Sequence, residues 1–504
     1  MFNLAEHCVA VPASRTPDKT ALVVVSDADC PDMAERWTYA ELDRAVRGVA
    51  AGLLAEGLES GDRLVLRLPN TSDYALMFYG AIAAGVVPVP ISPMLTEGEV
   101  KFLLEDSQAA AIIQTGSSSG SECPPGCRRL DGAAIDRLKS AVPLQAYAPT
   151  SSEAPAYMIY TSGTSGHPKG VVHAHRVGLG RVPMYADWMG LADTDTMLHA
   201  GAFNWSYTLG VGLLDPWACG ATAVLYSGPK GIEVWPKLID SVGATLFAAV
   251  PSLYRQILKY CALAPGCLPT LRHGLTAGEA LSPSTREQWL AVTGKELYEA
   301  FGMSECSTFV SNHAGLAVRS GSPGKPQGGR PISVLPLDGG TDPAGAGEVG
   351  LLAIHRSDPG LMQGYWRRPE EQEACFRGDW FVGGDLAAFD QDGYLWHHGR
   401  ADDVMNAGGY RVSPLEVEAA LGSCPGVAEI AVAEHRVRAD VSVIAAFVVR
   451  SDGADVTSQE IVAAAAERLA AYKQPKQVFF VSGLPRSANG KLLRRQLAGL
   501  VPTP

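Results

Sequence analysis

The amino-acid sequence predicts an α/β protein, with a large N-terminal domain of helix-covered sheets that includes a β-rich subdomain, and a small α+β C-terminal domain. Three observations lead to this fold class. Strand and helix signals alternate along the first 115 residues, glycine and proline are frequent at 320–350, and the pattern changes again after Gly399. The length of 504 residues suits more than one domain, since domains usually have about 100–200 residues.

The N-terminal elements follow from local signals. Thr38 with Glu41, and Thr96 with Glu99, form capping-box patterns ahead of helices. Between and after them lie a strand at 63–68, a helix at 73–84 that Gly85 ends, an extended segment at 86–91 and a strand at 109–115. Alternation at this spacing is typical of a parallel sheet covered by helices.

The second half of the chain contains two further regions. The run at 332–337, within the glycine- and proline-rich stretch, predicts a hairpin-rich or barrel-like subdomain. Beyond it we expect a helix at 414–421, strands at 430–432 and 441–449, and an alanine-rich helix at 458–471. These elements predict a compact unit of about one hundred residues. We therefore place the domains at 1–401 and 402–504.

Composition and charge exclude several functions. The formal charge of −12 lacks the basic excess that nucleic-acid binding requires, so no nucleic-acid partner is expected. No signal peptide and no apolar run of about 18 residues is present, which predicts a cytoplasmic protein without a membrane segment. The ten scattered cysteines predict reduced thiols. The pair Cys123 and Cys127 is interpreted as a loop thiol pair without function; a clip or half of a metal site is the alternative.

Residues 160–170 carry the strongest local signal for chemistry. They read Tyr-Thr-Ser-Gly-Thr-Ser-Gly-His-Pro-Lys-Gly and follow an apolar strand. Dense hydroxyls and glycines present many N–H and O–H donors to one concave space, and Lys169 adds a positive charge. This predicts a cradle for polyphosphate, although no Walker A spacing passes through Lys169 or Lys491. The alternative is a flexible Ser/Gly linker.

This loop resembles the signature loop of the adenylate-forming enzymes, the superfamily of acyl-CoA synthetases, nonribosomal adenylation domains and firefly luciferase. Further segments match that superfamily in the right order, from about Tyr157 to Arg494. The pattern is most similar to benzoate-type and medium-chain acid:CoA ligases. The resemblance implies an adenylating body and a small domain that moves as a lid.

The resemblance also implies the residues that bind ATP. Phe301 would stack on adenine, Ser304 would reach the α-phosphate, and Glu305 would hold Mg²⁺, a cation that takes oxygen ligands. Asp385 and Arg400 would bind the ribose or phosphate. The full set implied for ATP is Thr161, Ser162, Gly163, Thr164, Ser165, Gly166, Lys169, Gly278, Glu279, Ala280, Glu299, Ala300, Phe301, Gly302, Met303, Ser304, Asp385, Arg400 and Lys491, with Glu305 and Thr164 at the metal. A core phenylalanine with a surface glutamate, and an ordinary Gly-Asp turn, are the alternatives for these motifs taken singly.

The C-terminal part supplies the moving residues of this scheme. Asp402 matches the hinge, where a few residues absorb a large backbone change. Gly408, Gly409 and Tyr410 would line the tunnel for coenzyme A. Lys491, in Pro-Arg-Ser-Ala-Asn-Gly-Lys, is the expected adenylation lysine and, with Lys169 and Glu305, completes the catalytic set. A solvated basic tail and an Asp/Gly turn are the alternatives.

The acid-binding pocket is implied at residues 201–209 and 303–307, with Phe203, Trp205, Tyr207 and Met303 as candidate contacts. Aromatic side chains favour a flat or moderately sized apolar acid, and core packing is the alternative for some of them. The segment 201–209 holds no basic residue, which argues against a dicarboxylic acid. His173 and His175 are interpreted as packing or substrate-side residues, with a metal pair as the alternative.

These features predict an ATP-dependent carboxylic acid:CoA ligase. It would form acyl-AMP and pyrophosphate and then acyl-CoA and AMP, with ATP, Mg²⁺ and coenzyme A as cofactors and an aromatic or medium-chain acid as substrate. Two alternatives stay open: an adenylation enzyme that loads a carrier protein, and a nucleotide-binding regulator without chemistry. Monomer and homodimer are both expected states.

Overall fold

The structure is a computed structural model that describes residues 1–501 apart from 116–122, 162–167, 402, 404, 408–409, 439–440 and 487–491. The chain packs as two compact units, one of residues 1–331 and 356–374 and one of residues 332–355 and 375–504. Helix-covered sheets in the first unit and smaller sheets with two helices in the second confirm the predicted fold class. The division into domains at residues 401 and 402 stays a prediction.

Three sheets form the first unit. The largest has nine strands in the order Lys325–Pro326, Ser307–Ser311, Glu296–Met303, His273–Ala277, Leu246–Ala249, Thr196–His199, Thr222–Tyr226, Thr20–Val25 and Glu35–Thr38. A parallel sheet has the order Val87–Pro90, Arg63–Arg67, Ala111–Gln114 and Arg128–Leu130. An antiparallel sheet has the order Gly364–Tyr365, Lys169–Ala174 and Pro155–Thr161. The parallel sheet predicted from the first 115 residues is therefore confirmed.

Helices cover these sheets. The α-helices of the first unit are Val11–Arg15, Tyr39–Ala55, Ser72–Ala83, Glu97–Ser107, Gly132–Ser140, Val177–Met184, Ser206–Leu209, Asp215–Cys219, Val234–Ser241, Pro251–Tyr260, Pro283–Thr293 and Pro369–Ala374, with shorter π or 3₁₀ turns at Glu6–Ala10, Pro31–Met33, Tyr185–Met189 and Gly210–Leu214. Both predicted capping boxes form: the Thr38 and Thr96 hydroxyls accept from the N–H groups of Glu41 and Glu99, whose carboxylates accept in return. Among the described residues, no helix is long and apolar enough to cross a membrane.

One edge of the nine-stranded sheet gathers the segments that carry the predicted chemistry. The strands Thr196–His199, Leu246–Ala249, His273–Ala277 and Glu296–Met303 are parallel neighbours. Leu246–Ala249 and His273–Ala277 are buried throughout, as strands covered on both faces require. Because carboxyl ends of parallel strands share one edge, the segments that follow these strands meet there, which is where ligands bind in open α/β sheets.

The second unit contains the β-rich subdomain and the C-terminal elements. Its five-stranded antiparallel sheet consists of Ile332–Leu335, Gly350–His355, Trp380–Phe389, Phe376–Arg377 and Leu395–Arg400, as the hairpin-rich prediction requires. The remaining strands are Met405–Ala407, Tyr410–Val412, Val427–Arg438, Val441–Arg450 and Gln477–Phe480; the α-helices are Pro414–Leu421 and Ser458–Arg468, and 3₁₀ turns lie at Ala471–Lys473 and Arg494–Leu500.

Two C-terminal elements differ in length from the prediction. The strand expected at 430–432 extends over Val427–Arg438, because it pairs along a long antiparallel ladder whose polar positions hide the strand signal. The helix expected at 458–471 ends at Arg468, since Leu469 already adopts extended dihedral angles of −130° and 144°.

Candidate functional site

Thr161 and Lys169 stand at the base of the predicted phosphate cradle. Thr161 ends one strand, Lys169 begins the next, and the two are directly paired across the antiparallel ladder. The residues between them that the sequence implies for ATP, Ser162–Gly166 with the metal candidate Thr164, lie outside the described residues. The antiparallel pairing therefore places Lys169 directly opposite Thr161, the last residue before residues 162–167.

Lys169 and Glu305 belong to one side-chain network. The Lys169 ammonium forms an ion pair with Glu371 and lies 5.2 Å from the centre of the Tyr365 ring. The Tyr365 hydroxyl donates a 2.7 Å hydrogen bond to Glu305 Oε1. Two residues predicted as catalytic are thus brought together, although 136 positions separate them in the sequence.

Sequence reasoning missed Tyr365 and Glu371. The strand Gly364–Tyr365 pairs with Val171 and Val172 of the strand Lys169–Ala174, and this pairing brings Tyr365 close to Lys169. A substitution of Gly170 would place a Cβ atom 3.2 Å from Trp366 Cβ, so the two segments pack closely here. The aromatic and acidic stretch 365–371 is the only sequence signal, and it does not indicate its partner.

The strand Glu296–Met303 carries the predicted adenine side of the site. Phe301 is half-buried, and its ring contacts Phe309 edge-on at 5.8 Å. Ala300 is buried, whereas Gly302, Met303 and Ser304 are partly exposed.

The Glu299 carboxylate lies on the same strand and accepts a hydrogen bond from the Leu281 N–H at 3.0 Å. Burial raises its pKa to about 7. A carboxyl group of this kind changes its charge close to neutral pH.

The adenine-side loop lies against the predicted acid-binding segment. Gly278 has a φ of 91°, and a Cβ atom there would lie 2.6 Å from Trp205 Cη2. Glu279 accepts a 3.5 Å hydrogen bond from the Ser252 hydroxyl, and Ala280 is exposed. Glycine is therefore required at 278 both for its backbone conformation and for the close approach of the indole.

The three aromatic candidates of the acid pocket occupy different environments. Phe203 is 1% exposed and packs on Tyr74 and His199 at 4.9 and 4.7 Å. The Tyr207 hydroxyl lies 3.4 Å from two buried backbone carbonyl oxygens. Trp205 is only half-buried and contacts Tyr207 edge-on at 5.1 Å. Phe203 and Tyr207 pack as the core alternative expects, and Trp205 is the most accessible of the three.

His173 and His175 hold backbone groups. His173 Nε2 lies 2.9 Å from the Ser304 carbonyl oxygen, and its ring stacks on Tyr157. His175 Nδ1 accepts from the Leu4 N–H at 3.0 Å. Burial lowers the pKa of both to about 4, so both are neutral at pH 7. Among the described residues, no group of three potential ligands could hold a metal ion, and these contacts match the packing interpretation.

The second unit, taken by itself, joins the two residues implied for the ribose. Asp385 and Arg400 are paired across adjacent strands, with 3.5 Å between Arg400 Nη1 and Asp385 Oδ2. His397 Nε2 lies 3.0 Å from Asp385 Oδ1, a contact that sequence reasoning missed. Tyr410 lies in the strand Tyr410–Val412. Asp402, Gly408, Gly409 and Lys491 lie outside the described residues.

The chain matches two family models in succession: the AMP-binding enzyme over residues 9–366 and the AMP-binding enzyme C-terminal domain over residues 416–491. The chain belongs to the AMP-binding enzyme family. The resemblance to adenylate-forming enzymes that the motifs indicate is thereby confirmed.

Relatives of this AMP-binding enzyme include named CoA ligases. It is 32% identical over 487 residues to the mitochondrial acyl-coenzyme A synthetase ACSM5 of Homo sapiens, covering 92% of this chain and 84% of that protein. It is 30% identical over 530 residues to the 3-hydroxybenzoate–CoA ligase of Aromatoleum sp. (strain CIB), covering 99% and 97%. The solved structure of a benzoate CoA ligase from Burkholderia xenovorans LB400 is similar, with a TM-score of 0.89, 30% identity and coverage of 99% and 100%.

Proposed function

We propose that this AMP-binding enzyme is an ATP-dependent carboxylic acid:CoA ligase that activates an aromatic or medium-chain acid. The network that joins Lys169, Tyr365 and Glu305 carries the proposal, because a cation and a carboxylate lie together at the strand ends that flank the predicted phosphate cradle. Family membership and the relatives named as CoA ligases support it. The reaction consumes ATP and coenzyme A and requires Mg²⁺.

In the first half-reaction, the acid's carboxylate attacks the α-phosphorus of ATP, and pyrophosphate leaves. This displacement depends on alignment and on neutralisation of phosphate charge. Lys169 and the hydroxyls from Thr161 onward would bind phosphate oxygens, and Ser304 the α-phosphate. Phe301, which is half-buried beside Phe309, would stack on adenine.

The residues present fit a magnesium ion. Glu305 offers a carboxylate that Tyr365 orients through Oε1, and a hard cation such as Mg²⁺ takes oxygen ligands of this kind. Bound Mg²⁺ supplies charge neutralisation on the phosphates. Glu305, with Thr164, would hold it there.

In the second half-reaction, the coenzyme A thiol attacks the acyl carbonyl of acyl-AMP, and AMP leaves. We propose that residues 402–504 rotate about Asp402 between the two steps. Lys491 would serve the first step, and Gly408, Gly409 and Tyr410 would accommodate coenzyme A in the second. Asp385 and Arg400 would bind the ribose. We further propose a cytoplasmic location and a monomer or homodimer, with coenzyme A as the thiol acceptor and a carrier protein as the alternative acceptor.

Pyrophosphate release over a panel of aromatic, short-chain and medium-chain acids tests the proposal. We expect release with benzoate-like or medium-chain acids and formation of the matching acyl-CoA. Acyl-AMP without acyl-CoA would instead favour transfer to a carrier protein. No pyrophosphate release with any acid would favour a nucleotide-binding regulator.

Lys491→Ala separates the half-reactions. It should abolish ATP–pyrophosphate exchange but retain thiol transfer from supplied acyl-AMP. Equal loss of both half-reactions would refute the role proposed for this lysine.

A further inference from the structure

The segment 304–308, which carries Ser304 and Glu305, has an unusual backbone. Ser307 adopts a φ of 62°, in the left-handed region that non-glycine residues rarely occupy. At Gly302, a Cβ atom would lie 2.2 Å from the Ser307 carbonyl oxygen. The chain therefore turns back tightly just after the proposed magnesium ligand, and such a conformation persists only where its surroundings fix it.

Two buried arginines hold this turn. Arg330 donates from Nη2 to the Cys306 carbonyl oxygen at 3.4 Å and from Nη1 to the Thr308 carbonyl oxygen at 3.3 Å. Arg181 donates to the Ser307 hydroxyl. Three consecutive residues are thus held by two guanidinium groups, which present several donors in a rigid plane.

Each arginine is fixed in turn by a fully buried aspartate. Asp215 accepts from Arg181 Nε and Nη2, both at 2.7 Å. Asp358 accepts from Arg330 Nε at 2.6 Å. The side chains of both pairs are at most 3% exposed. Buried charges are costly unless paired, so these arginines have little freedom to move.

We propose that Arg181 with Asp215, and Arg330 with Asp358, are positioning residues that fix the proposed magnesium ligand Glu305 for the adenylation half-reaction. The inference rests on the proposed function. None of the four needs to touch substrate. They act through the backbone of residues 306–308, which continues directly from Glu305.

The test uses a variant that removes the contacts without leaving a buried charge. Arg330→Met with Asp358→Asn removes the donors to the turn, and asparagine keeps the oxygen that accepts from the Gly360 N–H. The full-length variant should lose at least about tenfold in kcat/KM for ATP–pyrophosphate exchange, mainly through KM for Mg·ATP, because displacements of about 1 Å have large kinetic effects. Thiol transfer from supplied acyl-AMP should stay within about twofold, because Mg²⁺ and pyrophosphate take no part in that step.

Two comparisons separate positioning from general stability. Arg272→Met with Asp195→Asn breaks another ion pair of the same unit. These two residues directly precede the strands His273–Ala277 and Thr196–His199, so they lie at the sheet edge opposite the proposed site. Both half-reactions should remain in this control. Arg330→Lys keeps the positive charge but not the planar set of donors, so its exchange activity should fall as it does in the double variant of Arg330 and Asp358. Glu305→Gln should reproduce the selective loss.

Unchanged exchange in the Arg330 and Asp358 variant, an equal loss of both half-reactions, or full activity of Arg330→Lys would each overturn the inference. Failure of the proposed function has a different signature, because the unmodified enzyme would then show no acid-dependent pyrophosphate exchange at all.

Discussion

Gly302→Ala is the most direct perturbation of the tight turn. The new Cβ atom would lie 2.2 Å from the Ser307 carbonyl oxygen and 2.6 Å from Thr308 Cα, whereas real Cβ atoms essentially never approach closer than 3.0 Å. Both obstacles are backbone atoms, so the chain itself has to move by about 0.8 Å to restore the minimum separation. Overpacking of this kind typically costs about 1–3 kcal/mol of stability.

The kinetic effect should exceed the effect on stability. A shift of that size next to Glu305 predicts a loss of about one hundredfold in kcat/KM for pyrophosphate exchange. Urea unfolding and exchange kinetics measure the two quantities on the same protein. Gly98→Ala is the matched control: Gly98 lies in the helix Glu97–Ser107 with open space around it, so alanine should stabilise by about 0.4–1 kcal/mol without affecting exchange. Normal stability and exchange in Gly302→Ala would refute the reasoning.

Three further outcomes follow from side-chain environments. Glu299 has a pKa of about 7 in the folded protein, so folding favours its protonated form. The protein therefore loses stability as the pH rises from about 4.5 to 7. Urea unfolding should show that Glu299→Gln is more stable than the unmodified protein at pH 8 but not at pH 4. Tyr365→Phe removes a hydrogen bond to a charged group worth about 1.5–3 kcal/mol, so the KM for Mg²⁺ in exchange should rise about tenfold or more, and an unchanged value would argue against the network. Burial raises the thiol pKa of Cys8 and Cys306 to about 12, so a thiol reagent should label exposed Cys30 in the native protein and these two only after unfolding.

Local signals predicted the elements well because their causes are local. A capping box needs two residues three positions apart, and both predicted boxes form. The helix Pro414–Leu421 has its predicted bounds, since a proline at its start and a glycine after its end mark them. The strand Val427–Arg438 was predicted too short, at 430–432, because its polar residues obscure the strand pattern.

Side-chain partners across the fold could not be predicted from the sequence. Arg181 and Asp215 lie 34 positions apart, and Arg330 and Asp358 lie 28 apart. In the sequence each is an ordinary charged residue, and burial is what gives the pairs their importance. The segment 201–209 contains no basic residue, yet Gly210, directly after it, lies so close to Arg181 that a Cβ atom there would be 1.9 Å from Nη2. A cation therefore lies beside this part of the fold, on the helix Val177–Met184 that no motif indicates, and Asp215 neutralises it.

Charge pairing bears on how a protein with a formal charge of −12 would bind the polyanion that we propose as its substrate. In the first unit, Lys169 is paired with Glu371, and the two buried arginines are neutralised by buried aspartates. The arginines are thus structural, whereas Lys169 could exchange its partner, because Glu371 is 35% exposed. If Lys169 binds a phosphate as proposed, one anion replaces another. The ion pair with Glu371 would then oppose weak anions, and an ATP phosphate held by several donors at once would displace it. We therefore expect the affinity for ATP to depend on the donors of the predicted cradle, whereas the negative net charge disfavours anions that meet fewer donors.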